Sequence, residues 1–120
     1  MRLIIQGKLT TLNEYISAER GNKFAAAKHK KEETELVYYS CVEQGLAHHL
    51  QQPCTVVFYW YMENKRKDLD NISFGAKAIL DGCIQAGVLY DDGYEWIRGI
   101  QHYYRLDKEN PRVVVVFQTL

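Results

Sequence analysis

The sequence is poor in the features that mark a secreted, disulfide-stabilised or membrane-spanning chain. It has three cysteines and no Cys-x-x-Cys pair, which argues against a disulfide framework and against a zinc ribbon. Free cysteines suit a reducing compartment, so we expect a cytoplasmic protein. No apolar run reaches the roughly 18 residues that a membrane span needs. The apolar run within Met1–Gln6 is too short for a signal peptide and favours a strand.

An excess of charge of one sign is also absent. The 15 basic residues balance 15 acidic ones, so composition alone gives no sign of a polyanionic partner. The distribution is uneven, because residues 1–31 hold seven Lys or Arg against two Glu, and a basic triplet at 65–67 directly precedes an acidic cluster. Charge runs of this kind are most often solvated faces, so they need a second signal before they indicate a partner.

Only two prolines are present, and each precedes an apolar run, as expected where a strand begins. The apolar pattern predicts a single domain spanning residues 1–120 with the order β-α-β-α-β-β. Strands are expected at residues 2–8, 55–62 (a central strand), 96–106 and 113–118, and helices at 23–50 and 71–86. We therefore expect an α+β domain, one mixed sheet with helices packed mainly on one face.

The two expected helices differ in how clearly the sequence marks their limits. Residues 9–22 read as a polar loop, with a possible helix start at Ser17, and Pro53 follows the first long helix. Gly87 is well placed to end the second helix. The first long helix should bury one stripe of side chains at three- and four-residue spacing, namely Leu36, Tyr39, Val42, Leu46 and Leu50.

An acidic cluster lies where the second strand should give way to the second helix. Asp68 and Asp70 would point to the same side of an extended backbone, and Asn71 would cap the helix. Close carboxylates repel unless a cation neutralises them, and Mg²⁺ or Mn²⁺ is a natural partner. The alternative is a cap and turn, and Asp91-Asp92 followed by glycine is equally typical of a turn.

Several stretches taken together resemble the RusA family of Holliday-junction resolvases. The most specific part is residues 66–92, which contain Lys67–Asn71 (a basic residue and Asp-Leu-Asp-Asn), Lys77–Asp81 on a helix, and Gln85–Asp92 with its Ala-Gly and Asp-Asp pairs. Upstream, Leu12–Tyr15 is similar to the family's Asn-x-Tyr after its first strand. With the order of elements, the resemblance covers nearly the whole chain.

The resemblance implies an Mg²⁺-dependent, structure-selective endonuclease that resolves Holliday junctions by paired phosphodiester cleavage during DNA recombination and repair. It implies that Asp68, Asp70 and Asp92 hold the Mg²⁺, for which Mn²⁺ is a plausible substitute, and that Lys77 acts near the scissile phosphate.

The position of the lysine departs from the best-known pattern of the family. There the lysine follows the Asp-x-Asp pair three residues sooner. Counted forward from Asp68, the family's lysine position falls on Phe74, whereas counted back from Asp92 it falls on Lys77. Three residues are close to one helical turn, so Lys77 keeps roughly the same face. An i,i+4 ion pair with Asp81 is an equally good interpretation of Lys77.

Affinity for branched DNA would come from basic residues contacting phosphates without reading sequence. A four-way junction has approximate twofold symmetry, so we expect a homodimer with one site per subunit. The expected DNA-contacting residues are Lys65, Arg66 and Lys67 beside the acids, Lys23, Lys28, Lys30 and Lys31 as a second track, and Asn13 and Tyr15 from the family pattern.

Two other functions remain open at this point. One is a catalytically silent module of the same fold that binds branched DNA, which the displaced Lys77 and the zero net charge favour slightly. The other is a metal-dependent phosphohydrolase acting on a small nucleotide, which a deep closed pocket over the acids would support. The four histidines have no partner at metal-ligand spacing, so we expect structural roles for them.

Overall fold

Four strands and four short or medium helices make up the chain, and the computed structural model describes all of residues 1–120. One mixed sheet has the strand order β1-β4-β2-β3, in which only β2 and β3 run parallel. The expected α+β fold and the interior position of the second strand are confirmed. The elements are β1 (Arg2–Gln6), α1 (Leu12–Gly21), α2 (Lys23–Glu43), β2 (Cys54–Met62), α3 (Leu69–Ile72), α4 (Ala76–Gln85), β3 (Ile97–Leu106) and β4 (Arg112–Thr119), with a 3₁₀ turn at Ser73–Gly75.

One face of the sheet carries the hydrophobic core. Alternate strand residues such as Val56, Phe58 and Val115 are fully buried and pack in one cluster with Val37 of α2 and Ile79 of α4. The helices therefore lie mainly on one face, as expected from the alternation of side chains along a strand. No helix is both long enough and apolar enough to cross a membrane.

The segment expected to be a polar loop instead forms α1. Thr11 caps this helix in a capping box: its hydroxyl accepts from the backbone N–H of Glu14, and its backbone N–H donates to the Glu14 carboxylate. A Thr-x-x-Glu pattern is visible in the sequence, so the signal was present and the prediction of a loop was wrong.

The buried stripe predicted for the long helix is also wrong. Leu36, Tyr39 and Val42 are exposed, and the buried side of α2 presents Val37 and Cys41 instead. The helix ends at residue 43, so Leu46 and Leu50 lie in the following loop, where they pack against the core. Because apolar residues occupy two sides of α2, periodicity alone could not choose between them.

The buried side of α2 is set by close contact with α4 at Gly82. A Cβ atom at Gly82 would lie 2.5 Å from Cβ of Val37 and 2.8 Å from the carbonyl oxygen of Thr34, so no larger residue fits without movement. The same crossing brings the buried thiols of Cys41 and Cys83 to an Sγ–Sγ distance of 3.9 Å. Small residues on both helices thus fix α4, which follows the acidic cluster, against α2.

The helix expected at residues 71–86 begins two residues earlier and is interrupted. It consists of α3, the 3₁₀ turn and α4, and it ends at Gln85. Gly87 follows with a φ of +80°, and the backbone N–H of Val88 bonds back to the carbonyl oxygen of Cys83, so the expected stop is confirmed. Backbone angles at Ile72, Ser73 and Gly75 stay in the right-handed helical region, so the three pieces run on almost without a break.

Candidate metal and nucleic-acid site

The acidic cluster forms the first turn of α3. Asp68 occupies the N-cap position with an extended backbone, but its carboxylate makes no capping bond, and Asp70 lies in the first turn. Both residues are exposed, and neither carboxylate has a hydrogen-bond or ion-pair partner in the chain. Because Asp70 is already helical, the two carboxylates are not aligned by strand geometry, and that part of the prediction is wrong.

Asn71 does not cap the helix, contrary to expectation. Its side chain is buried, and its Oδ1 accepts a bond of 2.8 Å from the backbone N–H of Asn13. A second link is ionic, between Lys67 and Glu14, with an Nζ–Oε1 distance of 3.2 Å. The Thr11 hydroxyl is the main cause, ahead of Lys67, of the lowered pKa of the Glu14 carboxyl. The start of α1 therefore braces the acidic turn.

Lys77 connects the second acidic segment to α4. Its ammonium lies 3.0 Å from Asp81 Oδ1 and 3.2 Å from Asp92 Oδ2. Hydrogen bonding to Asp81 first, and then to Asp92, raises the pKa of Lys77 above its usual range. The loop after α4 thus folds back to the beginning of that helix, and the i,i+4 pair and the contact with Asp92 are both present.

The acidic turn and Lys77, which holds Asp92, lie at different points of the helical run. Asp70 and Lys77 are seven residues apart, which is about two turns and roughly 10 Å of axial rise on the same face. Phe74 occupies the turn between them and packs on Tyr15, with ring centroids 5.3 Å apart. No group of three or more His, Cys, Asp or Glu side chains is close enough to hold a metal ion. The aspartates named by the resemblance are therefore not gathered around one point.

The residues at the acidic turn nevertheless fit the chemistry of a hard cation. Mg²⁺ in proteins is commonly held by one or two carboxylates, with waters and substrate phosphates completing its shell. Asp68 and Asp70 supply two exposed carboxylates that no cation of the chain neutralises. Asp92, the third acid, is engaged by Lys77.

The basic residues separate into two groups around these acids. Lys65 and Arg66 are exposed beside the acidic turn, without ion-pair partners. Along the helical run from that turn, Lys30 lines a cleft shared with Phe74 and Lys77, and Lys31 lines an adjoining cleft beside Asp81. Of the other predicted residues, Lys23 lies at the start of α2, Lys28 pairs with Glu32 at 4.0 Å, Asn13 is exposed, and Tyr15 is half-buried.

A polar cluster that the sequence did not reveal closes one end of that cleft. The hydroxyl and backbone N–H of Thr10 both donate to Glu33 Oε1 at 2.6 Å, and His29 Nε2 contacts the same hydroxyl. His29 also lies 3.5 Å from Glu33, its i,i+4 neighbour. Only that spacing is visible in the sequence, since Thr10 arrives from the loop after β1.

Aromatic stacking holds the loop that carries Asp92. Tyr90 stacks on His49 with ring centroids 3.9 Å apart and packs on Trp96 at 4.9 Å. In the sheet, His102 Nδ1 accepts a bond of 3.0 Å from the Trp60 indole, and burial lowers the pKa of His102. The structural roles expected for these two histidines are thereby confirmed, although their partners were not predictable.

Comparison with known proteins adds no relative. No protein-family model matches the chain, and no curated protein matches it.

Proposed function

We propose that the protein is an Mg²⁺-dependent DNA endonuclease that cleaves branched DNA, with its centre at the acidic turn. The observation that carries the proposal is the pair of exposed carboxylates of Asp68 and Asp70, which have no partner in the chain although Lys65 and Arg66 lie within a few residues. Free carboxylates beside free cations are a combination that a metal ion and a phosphate group would complete. The resemblance to the RusA family supports the same assignment.

Different side chains would bind the metal ion, offset the phosphate charge and position the site. Asp68 and Asp70 would hold the ion, which when bound supplies charge neutralisation and an activated water. Lys77, whose ammonium is kept protonated by Asp81 and Asp92, would offset charge on a substrate phosphate. The brace from Asn13 to Asn71 keeps the acidic turn fixed, which matters because the protein's main contribution to phosphodiester hydrolysis is positioning.

DNA affinity would come from exposed cations on both sides of the centre. Lys65, Arg66 and Lys67 flank the acids, and Lys30 and Lys31 lie along the cleft that leads to Lys77. These are phosphate contacts, so binding should fall steeply with salt and carry little sequence information. A homodimer would place two such centres on the two strands of a symmetric junction.

Cleavage of a synthetic four-way junction tests the proposal. The purified protein should nick opposing strands symmetrically in Mg²⁺ but not in EDTA, and Asp70→Asn should remove cleavage while leaving junction binding intact. An absence of nicking in Mg²⁺ and Mn²⁺, with no change on Asp70→Asn, would contradict the assignment.

A second candidate, a branched-DNA-binding module without catalysis, is favoured by one observation. Lys77 neutralises Asp92, so the third carboxylate named by the resemblance is not free for a metal. Junction binding that persists in EDTA, with no cleavage in any divalent metal, would select this candidate.

A further inference from the structure

A small cavity adjoins the acidic turn, between the end of β2, the loop after β1, and α3. Its volume is about 80 Å³, and Leu9, Trp60 and Ile72 contribute apolar walls. Ile72 follows Asp70 by two residues in α3, so the cavity shares an element with the proposed metal centre. The Trp60 indole is held in place by its bond to His102, which makes that wall rigid.

The rim of this cavity is basic. Lys8, Lys67 and Arg112 line it, against the single acid Glu63. Lys8 contacts Glu63 at 2.6 Å, and Lys67 contacts Glu14 at 3.2 Å. Arg112 is paired with Asp107 at 2.8 Å and is mostly buried, so it stays neutralised within the chain. The two lysine pairs are solvent-exposed, and such pairs contribute little to stability, so a phosphate group can replace the carboxylate of either lysine at small cost.

The cavity also offers a hydrogen-bond donor that the chain does not use. Asn64 lines it, and its Oδ1 accepts from the backbone N–H of Arg66 at 2.9 Å. That bond orients the amide and leaves its NH₂ group without a partner. A donor of this kind, beside apolar walls, suits a nucleobase, which has polar edge atoms and an apolar ring. The Trp60 indole is nearly fully buried, so it contributes only a small part of the wall and no stacking face.

We propose that this cavity binds one unstacked nucleobase of a DNA strand whose phosphates lie against the basic rim. The choice of DNA as ligand rests on the proposed function. The cavity is too small for a base pair. A bare phosphate would not need the apolar walls, and a neutral apolar ligand would not need the cations. A single base joined to its phosphates satisfies all three features, and unpaired bases occur at junction centres and bulges.

Two otherwise identical duplexes test this, one with a single-thymidine bulge and one with an abasic bulge. Affinities are measured in EDTA by fluorescence anisotropy, so that cleavage does not interfere. Removal of the base's apolar surface from water against the cavity walls should make the thymidine duplex bind about tenfold more tightly. In a Trp96→Phe background, where Trp60 is the only indole, the thymidine duplex alone should quench the emission.

Two variants locate the base. Met62→Phe places a rigid ring in the cavity, and Asn64→Ala removes the free donor. Each should bring the two affinities together while leaving the abasic duplex unaffected. Asn110→Ala is the matched control, since Asn110 lies in the β3–β4 turn, outside the cavity, and it should keep the preference. If Met62→Phe fails to fold, Asn64→Ala decides alone, because Asn64 is only half-buried and its removal leaves no cavity in the core.

Equal affinity for the two duplexes, with no change in Trp60 emission, would overturn the proposal. A thymidine preference that survives both variants would place the base elsewhere and overturn it equally. The outcome separates from that of the proposed nuclease activity: Asp70→Asn should lose cleavage but keep the thymidine preference. Cleavage without the preference contradicts only the base site, and the preference without cleavage contradicts only the nuclease.

Discussion

Two pairs of aspartates, one at the start of the α3–α4 helical run and one formed by α4 and the loop after it, have opposite surroundings. Asp68 and Asp70, in the first turn of α3, are exposed and without partners. Asp81 and Asp92, at α4 and the loop after it, are about two-thirds buried and share the ammonium of Lys77. The first pair is open to solvent and to a ligand, whereas the second is already neutralised within the chain, so identical side chains have different uses in the same domain.

The difference comes from what packs around each pair rather than from the local sequence. The loop with Asp92 is fixed by the stacking of Tyr90 on His49 and by the close contact of α2 with α4 at Gly82. The acidic turn is fixed through its buried neighbour Asn71 and through the ion pair of Lys67 with Glu14, and neither link uses the carboxylates of Asp68 and Asp70. One region is thus organised for stability, while the other retains unsatisfied charge.

Neutralising one aspartate of each pair tests most directly whether the two pairs differ in function. Asp70→Asn should lower junction cleavage about a thousandfold, because metal-mediated charge stabilisation is worth several kcal/mol. Asp81→Asn should change the cleavage rate only a few-fold, because Lys77 still forms its ion pair with Asp92. Neither substitution should lower the unfolding midpoint in urea by much. Similar losses of cleavage from both variants would remove the distinction between the pairs.

The next largest effect is expected from Lys77, which joins the second pair. Lys77→Ala should reduce cleavage about a hundredfold, the cost of losing one group that stabilises transition-state charge. Lys77→Arg keeps the charge and should recover much of the activity. Single-turnover rates with saturating protein separate this effect from weakened DNA binding. Faster cleavage by Lys77→Ala would instead show that the lysine restrains Asp92 from metal binding.

The contrast between the pairs also marks what could be predicted from the sequence. Strand alternation and the stop at Gly87 were predictable because they depend on local patterns. The position of Asp92 was not, because it depends on its ion pair with Lys77 and on the stacking of Tyr90 against His49 from a distant loop. The resemblance supplied the residue types of the site, whereas the bonds of Asn71 and Lys77 to distant segments appear only in three dimensions.

The α2–α4 contact that holds the second pair should be sensitive to a single methyl group. Gly82→Ala would force a Cβ into contact with Val37 and should destabilise the fold by about 1–3 kcal/mol, the usual cost of overpacking. Gly21→Ala is the matched control, because nothing lies within 4 Å of a Cβ at Gly21. Urea unfolding monitored by circular dichroism measures both. If Gly82→Ala is as stable as Gly21→Ala, α2 and α4 can move apart at little cost, and the close contact at Gly82 is not important for stability.

The smallest expected effect is the pH dependence of the Lys77 ion pairs. Hydrogen bonds to Asp81 and Asp92 raise the pKa of Lys77 above 10.5 in the folded state. The stabilisation is therefore fully present below pH 10.5 and is lost as the pH rises through the folded-state pKa. Since the pairs are partly exposed, the contribution should stay below about 1 kcal/mol.

The difference in unfolding free energy between the natural protein and Lys77→Met, measured in urea, should be constant near neutral pH and shrink in strongly alkaline buffer. Other titrating groups cancel in that difference, so a constant value through the alkaline range would mean that the ammonium of Lys77 gains nothing from the second aspartate pair.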